Sequence, residues 1–395
     1  MKIGLALSGG GFRATVFHLG MLARLAEEGR LEDVSFISTV SGGSLAAGLI
    51  HAVNGLRWPS SEQYATAIAP AARDLLTTVD LQRELVRRGL LTFWRALDPR
   101  ADDLSALLRK HWGISASLRD LPTSPRWMIN ATCYETGKNW RFERFRMGDY
   151  VFGYTHDTDL PLSDALAASA GFPGAIGALS LEASSRSWFR YVSRPPEALA
   201  DPAAQQGSRT TPVAPLYPRV HLWDGGVYDN HGLEGLHDFV TGWRDSVEFL
   251  IVSDGAGRSK PEAYRPGVGA LMRIITGIMM DQIRSLRSRA IVERLVNHED
   301  QGAFLQIGNA CQQVLEAAGK GAEVARICAA CLPDEAAERA AALPTVIRKL
   351  TQDEYELLFR HGYEVADTTL HAYHPGEFGH VSYADSRWGS PPGRH

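Results

Sequence analysis

The stretch VSFISTVSGGSLAAG, Val34–Gly48, decides the fold. Its first seven residues are β-branched and apolar, which reads as a strand. After Ser41 the chain turns helical, and SLAAGLIHAVNG closes at Asn54-Gly55. A serine therefore sits on the turn between a strand and a helix. The segment before it has the same layout. Lys2 to Leu7 is a short apolar run that ends in Ser8-Gly9-Gly10-Gly11, as a buried strand leaving into a tight loop does. RATVFHLGMLARLAEEG follows, with Val16, Leu19, Leu22, Leu25 and Ala26 at helical spacing and a stop at Gly29. Strand, glycine loop, helix, strand, serine turn, helix: this is the opening of a parallel α/β sheet.

Working outward, residues 56–125 are helical in pattern and more polar. RWMINATCYETGKNWRFERF alternates like a strand pair that turns at Thr136-Gly137. LSDALAASAGFPGAIG is a small-residue helix stopped by Phe172-Pro173-Gly174. Residues 181–218 hold scattered Ser, Pro, Ala and Gln and read as a long surface insertion. RVHLWDGGVYDN and VEFLIVSDGAG are two further strands, each ending at an Asp-Gly, and VGALMRIITGIMMDQIRSLRSRAIVERLV is a long helix. The expected layout is a catalytic domain over residues 1–300, with a helical insertion at about 56–125 and a loop insertion at about 181–218. A mainly helical extension, 301–395, is expected to pack on the same domain, and its Gly/Ser/Pro-rich end to fray.

The 395 residues, 45% apolar and 22% charged, have the balance of a globular enzyme with a large core. A net charge of −4 argues against a nucleic-acid polymer as partner. No run of eighteen apolar residues is present to span a membrane, and MKIGLALSGGG lacks the length and cleavage site of a signal peptide. The expected location is cytoplasmic. Four cysteines are too few for a disulfide scaffold. Cys328 and Cys331 form a C-x-x-C in an alanine-rich helical context without a second ligand pair, so two buried thiols are expected rather than a zinc or redox site.

A glycine run between a strand and a helix offers backbone N–H groups to a phosphate or to an oxyanion. SGGGFRAT lacks the G-K-[ST] of a phosphate-binding loop, and no acidic residue ends the second strand for a ribose contact. In a parallel sheet, loops after adjacent strands open on the same edge, so Gly9, Gly10 and Gly11 are expected beside Ser41. Arg13 is placed to support that loop or to neutralise a substrate phosphate. A serine nucleophile needs a base. His231, His237 and His361 suit a Ser…Asp…His order, but none sits in a distinctive turn. Asp224 ends an apolar strand and is followed by Gly225-Gly226, which leaves its carboxylate at the sheet edge. Asp254 has the same claim, and spacing does not choose between them.

The chain resembles the patatin-like phospholipase family. SGGGFR is similar to its G-G-G-x-[KR] oxyanion loop, STVSGGS to its serine elbow, and the DGG at Asp224 to its D-G-[GA] motif. AASAGFPGAIG is similar to the small-residue A-S-x-x-x-P stretch, and together these span about residues 3–230. One departure is Thr39, where the usual elbow has glycine; a β-branched residue there is expected to open or tilt the turn. The resemblance implies a three-layer α/β sandwich with a mainly parallel central sheet. It also implies a Ser41–Asp224 dyad without histidine, selecting Asp224 over Asp254, and an oxyanion hole at Gly9–Gly11 supported by Arg13. The activity implied is acyl-ester hydrolysis of membrane phospholipids, with no cofactor and no metal, by an enzyme that associates peripherally with a phospholipid membrane surface. Some relatives are bacterial membrane-degrading effectors switched on by a cyclic nucleotide, and residues 301–395 are where such a small-molecule activator would be sensed. Two alternatives stay open: a Ser–His–Asp esterase on small soluble esters, and a non-catalytic phosphate- or nucleotide-binding module.

Two further segments bear on lipid. RELVRRGLLTFWRALDPR mixes Arg83, Arg87, Arg88 and Arg95 with Leu90, Leu91, Phe93 and Trp94; a helix packed on the core is expected, with a membrane interface or lid as the alternative. The helix bearing Met272, Met279 and Met280 is expected to be plain core, with an acyl-pocket lining as the alternative.

Overall fold

In the computed structural model, which describes residues 1–91, 101–192, 209–238, 242–243, 247–257, 261–298 and 301–389, the apolar runs of the sequence become one mixed twelve-stranded sheet. Its strands are β1 (Ile3–Leu7), β2 (Val34–Val40), β3 (Arg126–Cys133), β4 (Lys138–Phe142), β5 (Met147–Asp149) and β6 (Gly153–Thr155). They continue as β7 (Leu179–Glu182), β8 (Trp188–Tyr191), β9 (Thr210–Val213), β10 (Arg219–Asp224), β11 (Phe249–Asp254) and β12 (Gly302–Gln306). The order runs β12-β11-β1-β2-β3-β4-β5-β6-β8-β9, with β10 pairing β3 and β7. The pairs from β12 through β3 are parallel, and those from β3 outward are antiparallel.

Side chains alternate between two cores, which makes the architecture three-layered. Ile3, Leu5 and Leu7 of β1, Ile37 of β2, Ile129 of β3 and Ile251 of β11 face the larger core. Ala6, Phe36, Met128, Leu250 and Val252 face the smaller one. Each fully buried aliphatic side chain contributes roughly 1.5–3 kcal/mol. A slip of one residue would exchange the faces, so burial fixes the register.

Five helices position the site: α1 (Gly11–Glu27), α2 (Gly42–Val53), α3 (Leu162–Ser169), α4 (Met280–Asn297) and α5 (Gln352–Tyr373). The larger core covers α1, which is buried from Gly11 through Ala26. The smaller core is closed by Ile291 of α4. Helix α5 begins at a capping box, where the Thr351 hydroxyl accepts from Glu354 N–H and the Glu354 carboxylate accepts from Thr351 N–H. It lies on α1 so closely that a Cβ on Gly362 would sit 2.1 Å from the Phe17 carbonyl oxygen, and one on Gly20 1.9 Å from that of Phe359. A buried ion pair, Arg24 Nε to Asp367 Oδ1 at 2.7 Å, holds the same crossing.

Three expectations change. Residues 181–218, expected as a loop insertion, carry β8 and β9, because Trp188 is packed edge-on against Trp140 and Phe152. Alternation in SWFRYV was the available signal, hidden by its Ser/Pro-rich flanks. Cys328 and Cys331 are half-buried rather than buried, and Cys328 Sγ lies 2.6 Å from Cys311 Sγ. The segment Arg83–Arg100 is helical through Leu91, but the side chains of Leu90, Leu91, Phe93, Trp94 and Arg95 lie outside the described residues. Among the described residues, no helix is long and apolar enough to cross a membrane.

The α1–α5 crossing is testable. Gly362→Ala drives a methyl group into a backbone carbonyl that cannot rotate away, which should cost about 2–3 kcal/mol. Urea unfolding should show a lowered midpoint, and an unchanged midpoint would contradict the contact.

Candidate active site

Strand β2 runs along one edge of β3 and stops at Val40, whose partner is Asn130. Strand β10 runs the opposite way, and its last residue, Asp224, is paired with Ala131. Since β4 occupies the other edge of β3 over Ile129–Cys133, β2 and β10 share one edge and meet end to end. The next residue after Val40 is Ser41. The pairing alone therefore brings Ser41 and Asp224 together, and the Ser41 side chain is near enough to draw the Asp224 pKa down against the effect of burial.

Ser41 occupies a strained turn, with φ 49° and ψ −114°. For a residue with a Cβ this costs of order 1–3 kcal/mol, which the surrounding packing must offset. Close backbone approach falls on the two residues after the serine. A Cβ on Gly42 would lie 2.4 Å from Gly11 O, and one on Gly43 2.3 Å from Leu7 O. Thr39 does not face that crowding. It is fully buried, and its hydroxyl oxygen accepts from Ser44 Oγ at 2.9 Å and from Trp127 Nε1 at 3.0 Å. A glycine there would leave both donors to find other partners, so the threonine braces the elbow.

The end of α3 fastens both halves of the pair. Ser169 Oγ accepts from Ser41 N–H at 3.0 Å and is 2.8 Å from Ser44 Oγ. The Ser169 carbonyl accepts from Gly225 N–H at 3.3 Å, and the Gly171 carbonyl from Asp224 N–H at 3.2 Å. Ser169 was not singled out by the sequence, although the AASAG segment that holds it was. Asn230 was missed as well. It lies six residues after Asp224, at the end of the short helix Gly226–Asp229, and lines the cavity above the serine.

Burial pushes the Asp224 carboxyl up to about 7, against the opposing pull of Gly226 N–H, 2.7 Å from Oδ1, and of Ser41. Asp254 is buried too, but it has cationic neighbours. Burial alone would raise its pKa, but His231 and the Arg284 guanidinium, 2.9 Å away, outweigh that and hold it well below the usual carboxylate range. It is a fixed anion in a buried ion-pair network, unsuited to take a proton near neutrality. Of the candidate histidines, His231 belongs to that same network, and His237 packs edge-on against Trp243. His361 Nε2 accepts from Gly308 N–H at 2.8 Å, with its pKa lowered to about 4 by burial. No histidine is among the described residues lining the cavity over Ser41.

The glycine loop does lie beside Ser41, but its donors are fewer than expected. Gly9 N–H donates to the Asn230 carbonyl at 3.1 Å and is thereby committed. Gly10 and Gly11 N–H have no acceptor among the described residues, and Gly11 opens the seventeen-residue α1, whose dipole favours negative charge at this end. Arg13 is tied to two other segments rather than to Gly9–Gly11. Its Nε donates to Gly255 O at 3.1 Å and its Nη1 to Leu343 O, while burial lowers its pKa to about 10. Above these groups opens a cavity of about 1500 Å³, walled by Leu45, Phe172, Ile176, Met272 and Met280 among others. The expectation of plain core for the Met-rich helix is thereby corrected: Met272 and Met280 line this cavity and Met279 is exposed, since none of residues 268–279 is buried.

The raised carboxyl carries a stability signature. The folded chain holds the Asp224 proton more tightly than the unfolded chain, whose carboxyl titrates near 3.8. Between these two pKa values stability falls as pH rises, and above about 7 the full cost is present. Asp224→Asn removes that cost, so its Tm relative to wild type should climb from pH 5 to pH 8. A difference that stays constant across this range would contradict the shift.

No curated protein matches the chain by sequence. Structures of human GIVD cytosolic phospholipase A2 are similar at 13% identity and a TM-score of 0.47, covering 93% of this chain and 61% of that one. The same enzyme in complex with methyl gamma-linolenyl fluorophosphonate and terbium chloride gives 12% and 0.46, covering 93% and 58%. The chain thus spans about three fifths of the length of those relatives. A family model described as patatin-like phospholipase matches residues 5–237, which hold the glycine loop, the serine turn and Asp224. With more than half of its length matched in this way, the chain belongs to the patatin-like phospholipase family.

Proposed function

We propose that the chain is a serine lipid acyl hydrolase of the phospholipase A type, working through a Ser41–Asp224 dyad. The observation that carries this is Ser41 set beside a buried carboxyl raised to about 7, at the floor of a large, partly apolar cavity. An ordinary aspartate is too weak a base to assist a serine. One raised to near neutrality is substantially ionised at working pH and basic enough to accept the hydroxyl proton. Ser41 Oγ attacks the ester carbonyl as its proton passes to Asp224. The N–H groups of Gly10 and Gly11 receive the oxyanion, in a site where they need no reorganisation. Collapse expels the alcohol portion, which takes the proton back from Asp224, and leaves an acyl group on Ser41. Water then repeats the sequence, with Asp224 as base, and releases the fatty acid. Arg13 is bound to the carbonyls of Gly255 and Leu343 and touches no reacting atom.

The substrate follows from the cavity: its apolar wall suits an acyl chain. The proposed setting is cytoplasmic, with peripheral association to a phospholipid membrane. The role of a regulated bacterial membrane-degrading effector belongs to the same proposal. A Ser–His–Asp esterase is disfavoured by the placement of His231, His237 and His361 in other contacts.

Fatty-acid release from phospholipid vesicles tests the dyad. Ser41→Ala and Asp224→Asn should each lower kcat by on the order of 10³-fold or more. His231→Gln, His237→Gln and His361→Gln should stay within a few-fold of wild type. Full loss in a histidine variant, with Asp224→Asn active, would overturn the dyad. The wild-type rate should rise with pH to a plateau above about 7, since the ionised carboxylate is the active form. Cyclic nucleotides added to the same assay should raise the rate if the effector role holds, and an unchanged rate removes that role.

A further inference from the structure

Residues 268–280, VGALMRIITGIMM, carry only Arg273 and Thr276 as polar side chains. They are helical throughout, α over Val268–Met272 and π over Arg273–Met279, and lead directly into α4. The inner side of this helix covers the site: Met272, Ile274, Ile278 and Met280 line the cavity over Ser41. The outer side faces solvent. Val268, Leu271, Ile275 and Met279 are 76%, 55%, 41% and 55% exposed, and the neighbouring Tyr264 is 83% exposed. None of residues 268–279 is buried.

A helix that is apolar all round is ordinarily enclosed all round. Here, among the described residues, the outer side is left uncovered, and Ile274 and Ile278 on the cavity side are exposed as well. A contiguous exposed patch of this kind marks an interaction surface. Its charge narrows the partner. From Ala263 to Met280 the charged residues are Arg265 and Arg273, with no aspartate or glutamate, and the acidic residues Glu262 and Asp281 stand just outside. Arg273 is paired with Glu262 at 3.9 Å and Arg265 is nearby, so the aliphatic side chains stand at the level of cationic groups, as at the boundary between acyl chains and phosphates. Wide π-helical turns recur at functional sites, and this one lies over the cavity mouth.

We propose that Tyr264–Met279 is the surface on which this chain docks onto a phospholipid bilayer. Val268, Leu271, Ile275 and Met279 enter the headgroup–acyl boundary. The inner side of the same helix remains the wall of the cavity, so a lipid leaving the bilayer meets apolar side chains continuously on its way to Ser41. The inference rests on the lipid hydrolase function proposed above and assigns its membrane contact to a defined element.

The test uses Ser41→Ala protein throughout, so that binding is read without hydrolysis. Vesicles of phosphatidylcholine, with and without phosphatidylglycerol, are the probe. The Ser41→Ala chain should co-sediment with them, more strongly with the anionic lipid and less so as salt rises. Adding Leu271→Asp, Ile275→Asp and Met279→Asp should weaken vesicle binding by roughly tenfold or more. Thermal unfolding should barely move, since these side chains are exposed. Unchanged vesicle binding overturns the proposal. So does a dimer of the Ser41→Ala chain in sedimentation velocity that the triple substitution dissociates, because a second copy would then cover this face. If the wild type releases no fatty acid while vesicle binding still depends on the three residues, the hydrolase function falls and the docking surface stands.

Discussion

Everything at this site depends on two strands sharing one edge of a third. β2 takes the first part of β3 in parallel, β10 takes the last part antiparallel, and their ends abut at Asn130 and Ala131. Ser41 and Asp224 are 183 positions apart in sequence but are set side by side by backbone hydrogen bonds rather than by flexible side chains. The end of α3 then closes the joint: Ser169 and Gly171 accept from the backbone of Ser41, Gly225 and Asp224. A pair held in this way is preorganised, since the backbone at both residues is fixed before any substrate binds.

The same packing sets the electrostatics. Asp224 and Asp254 are both buried and both end a strand before a glycine, and in sequence they are equivalent. The fold separates them by what it places nearby. Arg284 of α4 and His231 reach Asp254 and make it a permanent anion. No cation is paired with Asp224 among the described residues; it is left with Ser41 and the Gly226 N–H, and burial without a counter-charge makes it basic. Arg13 is buried close by, but its guanidinium is taken up by the carbonyls of Gly255 and Leu343.

Much of this was legible in the residues. The strand–glycine–helix and strand–serine–helix units were readable because apolar runs and glycines are local signals, and β1, α1, β2 and α2 stand where those signals put them. The meeting of β2 and β10 was not legible, because it depends on long-range register that no local pattern encodes. For the same reason Ser169 and Asn230 passed unnoticed, and Gly9 was given a donor role that its bond to Asn230 forecloses. Thr39 looked like a flaw in the elbow because the crowding was assigned to the wrong side of the serine. Gly42 and Gly43 bear it instead, and the threonine hydroxyl holds Trp127 and Ser44. The Met-rich helix was expected in the core on composition alone, which does not tell an apolar helix that is covered from one that is waiting for cover.

The most direct test of the central claim is the pH dependence with which a soluble fluorophosphonate labels the chain, with the modified residue identified by mass spectrometry. The account predicts a single labelled residue, Ser41, and a labelling rate that rises with a midpoint near 7, the value to which burial carries Asp224. That rise should be absent in Asp224→Asn. Labelling at another serine, or a midpoint that survives in Asp224→Asn and disappears in a histidine variant, would contradict it.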